Sequence, residues 1–319
     1  MRFIGVLNRD GGTFRQTDMD AFIAMARDIF AAAGHELEAR AVDGPDLRAE
    51  LERAAADRGD VVLAGGGDGT ISTAAAVCFA AGKPLAVLPA GTRNLFARTL
   101  RVPMNLEQAL RDIAGGKLYA VDIATANGKP FVHQYSVGVH ARLVRIREEL
   151  DYNNRWQKML ASLRSFSGTL AKPLRFKVDI LAPTGTQQRI ASGISVSNNV
   201  LAEGHVPYSD DIDGGVLGVY LVKPMSRWDL FKLLVGVMLG RWKAHPRVSE
   251  NSVTSVTLMF PHRKRSAKAV IDGELVALPA KVELQVHPGA LKVFAPLALE
   301  EAVTSSETGP APATEQGPG

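Results

Sequence analysis

The chain contains a single cysteine, Cys78, in 319 residues. This excludes an internal disulfide framework and a cysteine-built zinc site, and it fits a reducing compartment. Long apolar runs are missing too. The longest, Leu233 to Leu239, falls far short of the ~20 residues that cross a bilayer as a helix. Met1 to Leu7 has no basic flank ahead of an extended apolar region, so no signal peptide is expected. Charge is sparse and nearly balanced: 22% of residues are charged and the formal net charge is +4, too little to argue for nucleic acid. With 46% apolar residues, the chain can bury the core of one large or two ordinary domains. The reading is a cytoplasmic protein.

What the sequence does have is glycine in one place. Val61-Val62-Leu63-Ala64-Gly65-Gly66-Gly67-Asp68-Gly69-Thr70 is a short apolar run ending in glycines around an acid. Ile71 to Ala80 behind it reads as a helix. Glycines joining a buried strand to a helix N-terminus let the backbone approach an anion, with the first helical N–H groups pointing at it. No Gly-Lys-Ser/Thr ending follows, which removes the Walker reading. A dinucleotide fingerprint would need Gly or Ala where Thr70 stands, and an acid where Pro89 and Ala90 stand. Asp68 in the loop suggests that a cation, or a proton to be moved, belongs there.

The order of patterns sets the architecture. Arg2 to Leu7, Leu37 to Val42, Val61 to Ala64 and Leu85 to Leu88 read as strands alternating with helices, which predicts a parallel sheet covered on both faces. Asn105 and Gln108 open a further helix as a capping box. After Gly115-Gly116 the pattern turns antiparallel. Tyr119 to Ala126, Asn127-Gly128 and Phe131 to Val137 predict a hairpin. Further strands are expected at Leu174 to Leu181, Ile190 to Ser197, Val216 to Val222, Val253 to Phe260, Ala267 to Ile271, Glu274 to Ala277, Val282 to Val286 and Leu291 to Phe294. Helices are expected at about 141–170 and from Ser226 to Leu239. The fold class is therefore α/β: a doubly wound nucleotide-binding domain over 1–122, a β-rich, sandwich-like domain over 123–299, and a disordered tail over 300–319.

Gly66-Gly67-Asp68-Gly69-Thr70 resembles the nucleotide-binding signature of the diacylglycerol kinase catalytic-domain family, which includes sphingosine and ceramide kinases. NAD kinases share this pentapeptide. Pro89-Ala90-Gly91-Thr92-Arg93-Asn94 looks like the Pro-x-Gly-Thr-x-Asn element of lipid kinases. Val270-Ile271-Asp272-Gly273-Glu274 is similar to the family's late Asp-Gly-Glu, and Asn8 and Gly12 to the ends of its opening Asn-Pro-x-Ser-Gly. The resemblance runs from about Arg2 to Pro296. It implies transfer of a phosphoryl group from ATP to a lipid hydroxyl, with diacylglycerol the leading acceptor and a sphingoid base, ceramide or monoacylglycerol behind it. Gly66, Gly67, Asp68, Gly69, Thr70, Thr92 and Asn94 would cradle ATP, with Asn8 and Gly12 beside the nucleotide. Asp68 would organise Mg2+ or water. Asp272 would be the base, with Glu274 close by. Taken alone, Asp272-Gly273 is equally a favoured hairpin turn.

The family's opening proline and serine are Arg9 and Gly11 here, and Leu95 stands where many bacterial members place Asp. Asp210, Asp211 and Asp213 before Gly214-Gly215 resemble an acidic loop that holds a structural magnesium in some members, which makes Asp210, Asp213 and Gly215 its candidate ligands. Two apolar stripes, Trp156-Leu160-Leu163-Phe166 and Trp228-Phe231-Leu234-Val235-Met238, carry basic neighbours. They read either as core faces or as a transient docking surface for an anionic membrane, which would make the protein peripheral at the inner membrane surface. A homodimer is left open. NAD kinase and a nucleotide- or lipid-binding regulator without catalysis are the competing functions. Asp68→Asn and Asp272→Asn are each expected to remove most turnover with the fold intact.

Overall fold

Three apolar strands stack side by side with most residues buried on both faces, and a fourth, of alternating pattern, closes the edge. In the computed structural model, which describes residues 1–139, 141, 175–183, 185–202, 209, 211–224, 226–239 and 241–300, β1 (Arg2–Asn8) lies between β2 (Glu36–Val42) and β3 (Val61–Gly66), and β4 (Leu85–Pro89) follows, all parallel. Every residue of β3 is buried, as expected of a strand covered by helices on both sides. One layer is α1 (Met19–Ala32), which packs on α5 (Leu106–Ala114). The other is α2 (Leu47–Ala56), which packs on α3 (Asp68–Ala81). Two helix starts are capped, the second as the sequence indicates. Asp18 accepts from the amides of Asp20 and Ala21, and Asn105 from that of Gln108. A short α4 (Leu95–Thr99) follows the second glycine element.

The antiparallel half forms a sandwich. β5 (Lys117–Ala126) makes a hairpin with the short β6 (Lys129–Phe131) through Asn127 and Gly128, both at positive φ, the backbone of a two-residue type I′ turn. The chain then changes sheet, and β7 (Gln134–Gly138) pairs elsewhere. The first sheet runs β2-β1-β3-β4-β16-β13-β8-β9, with β5 on β16. The second runs β12-β11-β10-β7-β14-β15. Their strands are β8 (Phe176–Ala182), β9 (Gly185–Ala191), β10 (Gly193–Asn198), β11 (Leu217–Val222), β12 (Val248–Val253), β13 (Ser255–Met259), β14 (Lys268–Ile271), β15 (Glu274–Ala277) and β16 (Lys281–Ala295). Val178, Val256, Leu258 and Leu284 of the first sheet pack against Val137, Ile194, Val196 and Val219 of the second. A helix α6 (Arg227–Met238) connects β11 to β12.

Three expected elements differ. The expected hairpin over Tyr119 to Val137, the strand Ile190 to Ser197 and the strand Val253 to Phe260 are each split between the two sheets, at 132–133, Ser192 and Thr254. An apolar alternation continues through such a corner, because both segments face the same interior. β16 is the other surprise. It joins two expected strands, shifts register between His287 and Leu291, and returns to the first lobe, where Val293 pairs parallel with Leu85 of β4. Asp122 lies inside β5, so the two lobes share a continuous strand. The expected helix at about 141–170, with Trp156, Leu160, Leu163 and Phe166, the tail over 301–319, and Asp210 lie outside the described residues.

Candidate active site

The two glycine elements touch each other. α3 begins at Asp68 with Gly67 as its N-cap, and no side chain caps it, so its first-turn amides are available to an anion. A Cβ on Gly91 would stand 2.5 Å from the Gly67 Cα, and one on Gly66 would meet the Thr70 side chain at 2.5 Å. Only glycine fits either place. The Ala90 amide donates to the Gly66 carbonyl at 2.9 Å, which ties the loops together. Asn94, at φ 52°, accepts from the Gly91 amide at 2.8 Å and donates back to its carbonyl at 2.9 Å. It braces the second loop from inside, while Thr92 is exposed at the tip.

An open groove of about 570 Å³ runs along these loops, lined by Asn8, Asp10, Gly11, Gly12, Gly44, Arg48, Gly67, Gly69, Thr70 and Glu274. Asn8 organises its floor. Its Nδ2 donates to Thr70 Oγ1 at 2.8 Å, and its Oδ1 accepts from the Asp10 amide at 3.0 Å. Glu274 enters from the second lobe: a Cβ on Gly69 would be 3.6 Å from its Oε1.

Asp68 faces a smaller cleft next door, shared with Arg93, Leu95, Phe96, His133, Gln134, Asp272 and Gly273. Its Oδ1 accepts from the Leu95 amide at 2.7 Å, and its Oδ2 lies 3.8 Å from Arg93 Nε, with the side chain 18% exposed. Asp68 thus keeps acceptor capacity on the cleft side. It is an oxygen donor of the kind Mg2+ takes, and Mg2+ commonly completes its shell with waters and phosphate oxygens. That fits a site where, among the described residues, no three His, Cys, Asp or Glu side chains converge.

Asp272 is both a turn residue and a buried acid. It and Gly273 occupy positive φ between β14 and β15, with Ile271 paired to Glu274, the two-residue hairpin the dipeptide favours. The residue is 7% exposed, and its carboxylate holds four hydrogen bonds. Oδ2 accepts from Ser72 Oγ at 2.7 Å and the Val132 amide at 2.9 Å, and Oδ1 from the His133 and Gln134 amides at 2.9 Å each. These three amides lie where the chain leaves one sheet and enters the other. Burial pushes the Asp272 carboxyl above the usual range, and the four donors oppose that.

The acidic loop leans on a carboxylate from β5. The Gly215 amide donates at 2.7 Å to Asp122 Oδ2, whose other oxygen accepts from the Gly289 amide at 2.9 Å. Asp122 is 1% exposed. Asp211 accepts from the Asp213 amide, and burial together with Asp211 and Asp122 raises the Asp213 carboxyl above its ordinary value. Among the described residues the Asn199 Oδ1 is buried there without a hydrogen-bond partner, and both it and Asp211 crowd Gly214. Oxygen donors and an orphaned acceptor suit a hard cation.

Sequence reasoning missed Ser72, Asp122 and the 132–134 amides. Only Ser72 had a local signal: it stands four residues after Asp68, on the same face of α3.

Comparison with known proteins agrees with this geometry. Residues 2–126 match the model of the diacylglycerol kinase catalytic domain, and residues 134–295 that of the YegS C-terminal NAD kinase beta sandwich-like domain. The chain is 27% identical over 261 residues to a probable lipid kinase YegS-like of Yersinia enterocolitica, covering 79% of this chain and 84% of that one. It is 26% identical over 298 residues to a diacylglycerol kinase of Staphylococcus aureus, covering 89% and 88%. An uncharacterized protein of Synechocystis is 26% identical over 249 residues, but the match spans only 55% of its length. A crystal structure of a diacylglycerol kinase from Bacillus anthracis shares the fold, with a TM-score of 0.66 at 18% identity over 93% of this chain and 98% of that one. With both domain models matched in order, the chain belongs to the diacylglycerol kinase family of lipid kinases.

Proposed function

We propose that the protein transfers the terminal phosphate of ATP to a lipid hydroxyl, with diacylglycerol as the acceptor and phosphatidic acid as the product. The observation that carries this reading is the meeting of the two lobes. The Asp-Gly-Glu hairpin of the second lobe reaches α3 of the first, so that Glu274 borders the phosphate groove and Asp272 the adjacent cleft beside Asp68.

In this reading the α3 N-terminus, Thr70 and the flanking glycine amides hold the phosphates in the groove by Asn8 and Gly12. Mg2+, when bound, neutralises phosphate oxygens, and Asp68 is placed to orient it or its water. Asp272 takes the proton of the acceptor hydroxyl. Phosphoryl transfer asks chiefly for positioning and charge neutralisation, so this small set is sufficient.

Access to lipid would come from the surface. No helix among the described residues is long and apolar enough to cross a membrane. Trp228 is 74% exposed and Leu239 64% exposed on and just after α6, with Lys232 and Arg241 also exposed nearby. Exposed apolar residues beside cations suit transient contact with an anionic bilayer.

The deciding experiment is incubation with labelled ATP and a total lipid extract, followed by identification of the labelled product. Labelled phosphatidic acid supports diacylglycerol, a labelled sphingoid base or ceramide moves the acceptor, and labelled NADP from NAD with all lipids inert overturns the reading.

A further inference from the structure

Asp272 can act as a base only if a proton can reach it, and although it borders the cleft, its carboxylate is already fully engaged by described residues. Both oxygens already accept two hydrogen bonds each, which fills the in-plane lone pairs of a carboxylate. An acceptor hydroxyl therefore cannot approach without displacing a donor or acting through one. Three of the donors are main-chain amides at Val132, His133 and Gln134, fixed by the sheet-switching backbone and unable to pass a proton on at neutral pH. The fourth is the Ser72 hydroxyl, 2.7 Å from Oδ2. A hydroxyl accepts one proton while donating another, and it rotates. Ser72 is only partly buried, whereas Asp272 is buried.

We propose that Ser72 is the proton relay between the acceptor hydroxyl and Asp272, a role that rests on the lipid-kinase reading above. As the acceptor oxygen forms its bond to the γ-phosphorus, its proton passes to Ser72 Oγ, and the Ser72 proton passes to Asp272 Oδ2. The bond from the γ-phosphorus to the bridging oxygen breaks, and its electron pair leaves with ADP. Asp272 ends protonated and returns its proton to solvent along the same path. The charged and titratable groups lining this cleft are Asp68, Arg93 and His133, and Glu274 of β15 borders the groove beside it.

The test compares Ser72→Ala with Ser72→Thr in the full-length enzyme, on the lipid identified with the labelled extract. A general-base path is commonly worth about 100-fold or more, so Ser72→Ala should lose at least about tenfold in kcat with the KM for ATP nearly unchanged, while Ser72→Thr keeps most turnover. Losing the Ser72 bond removes a donor that favours the charged Asp272, so the acid limb of the kcat profile should move to higher pH in Ser72→Ala and not in Ser72→Thr. Wild-type kcat in Ser72→Ala overturns the relay and leaves the kinase reading standing. So does a loss in both variants that tracks a loss of ATP binding and of melting temperature, because the hydroxyl would then only join the lobes. A wild type that phosphorylates no lipid removes the kinase reading and the relay together.

Discussion

The amide of Leu95 donates a 2.7 Å hydrogen bond to Asp68 Oδ1. A leucine side chain can contribute nothing to a carboxylate network, but its main chain does, because it opens α4 directly beneath the phosphate loop. The departure at Leu95 is therefore compatible with an ordered Asp68. Leu95→Ala should keep kcat within about threefold while lowering stability by about 2–4 kcal/mol, since the side chain is buried. A urea melt and steady-state kinetics on the same preparation measure both, and a collapse of kcat would assign Leu95 a side-chain role.

Asp68→Asn should remove turnover without unfolding the chain. The amide oxygen still accepts from Leu95, so the loop holds, but the negative charge facing the cleft is gone. A loss of about 100-fold or more in kcat with an unchanged melting temperature is expected. Near-normal transfer would exclude Asp68 from the reaction.

Asp272→Asn is a different case, and the four hydrogen bonds argue against the sequence expectation of an intact fold. An amide nitrogen in place of one carboxylate oxygen points donors at donors: at the His133 and Gln134 amides, or at the Val132 amide, whereas the Ser72 hydroxyl can turn and accept. Each orphaned buried donor costs about 1–3 kcal/mol. The variant should melt several degrees lower and lose activity, and an unchanged melting temperature would contradict the hydrogen-bond arrangement at Asp272.

Gly91→Ala should loosen the phosphate site. The added methyl meets Gly67 Cα at 2.5 Å, and backbone on both sides must move. Overpacking of this kind costs about 1–3 kcal/mol, and ATP affinity, measured by calorimetry, should fall with it. Wild-type affinity would mean that the two loops do not need to touch.

Cys78 offers a clean check on the core. Burial behind the glycine loop pushes its thiol up to about 12, so it should resist a thiol reagent at pH 8 in the native protein. It should react fully once denatured. Rapid labelling of the native protein would show that α3 does not pack as described.

The sequence by itself determined the elements whose causes are local. The strand-glycine-helix joints at Gly66 and Gly91, the cap at Asn105, the Asp272-Gly273 turn and the alternation of strands and helices all follow from residues within a few positions of each other. The motifs at Asn8, Gly66 to Thr70 and Gly91 to Asn94 were legible because each must build its own backbone shape. Tertiary structure alone decided what joins the lobes. β16 returns beside β4, the chain changes sheet at 132–133, and the amides there meet Asp272 about 140 positions away, while Ser72 reaches it across 200. Nothing local encodes such partners. A buried carboxylate must be satisfied by whatever donors the folded chain brings to it, and only the closed sandwich brings these.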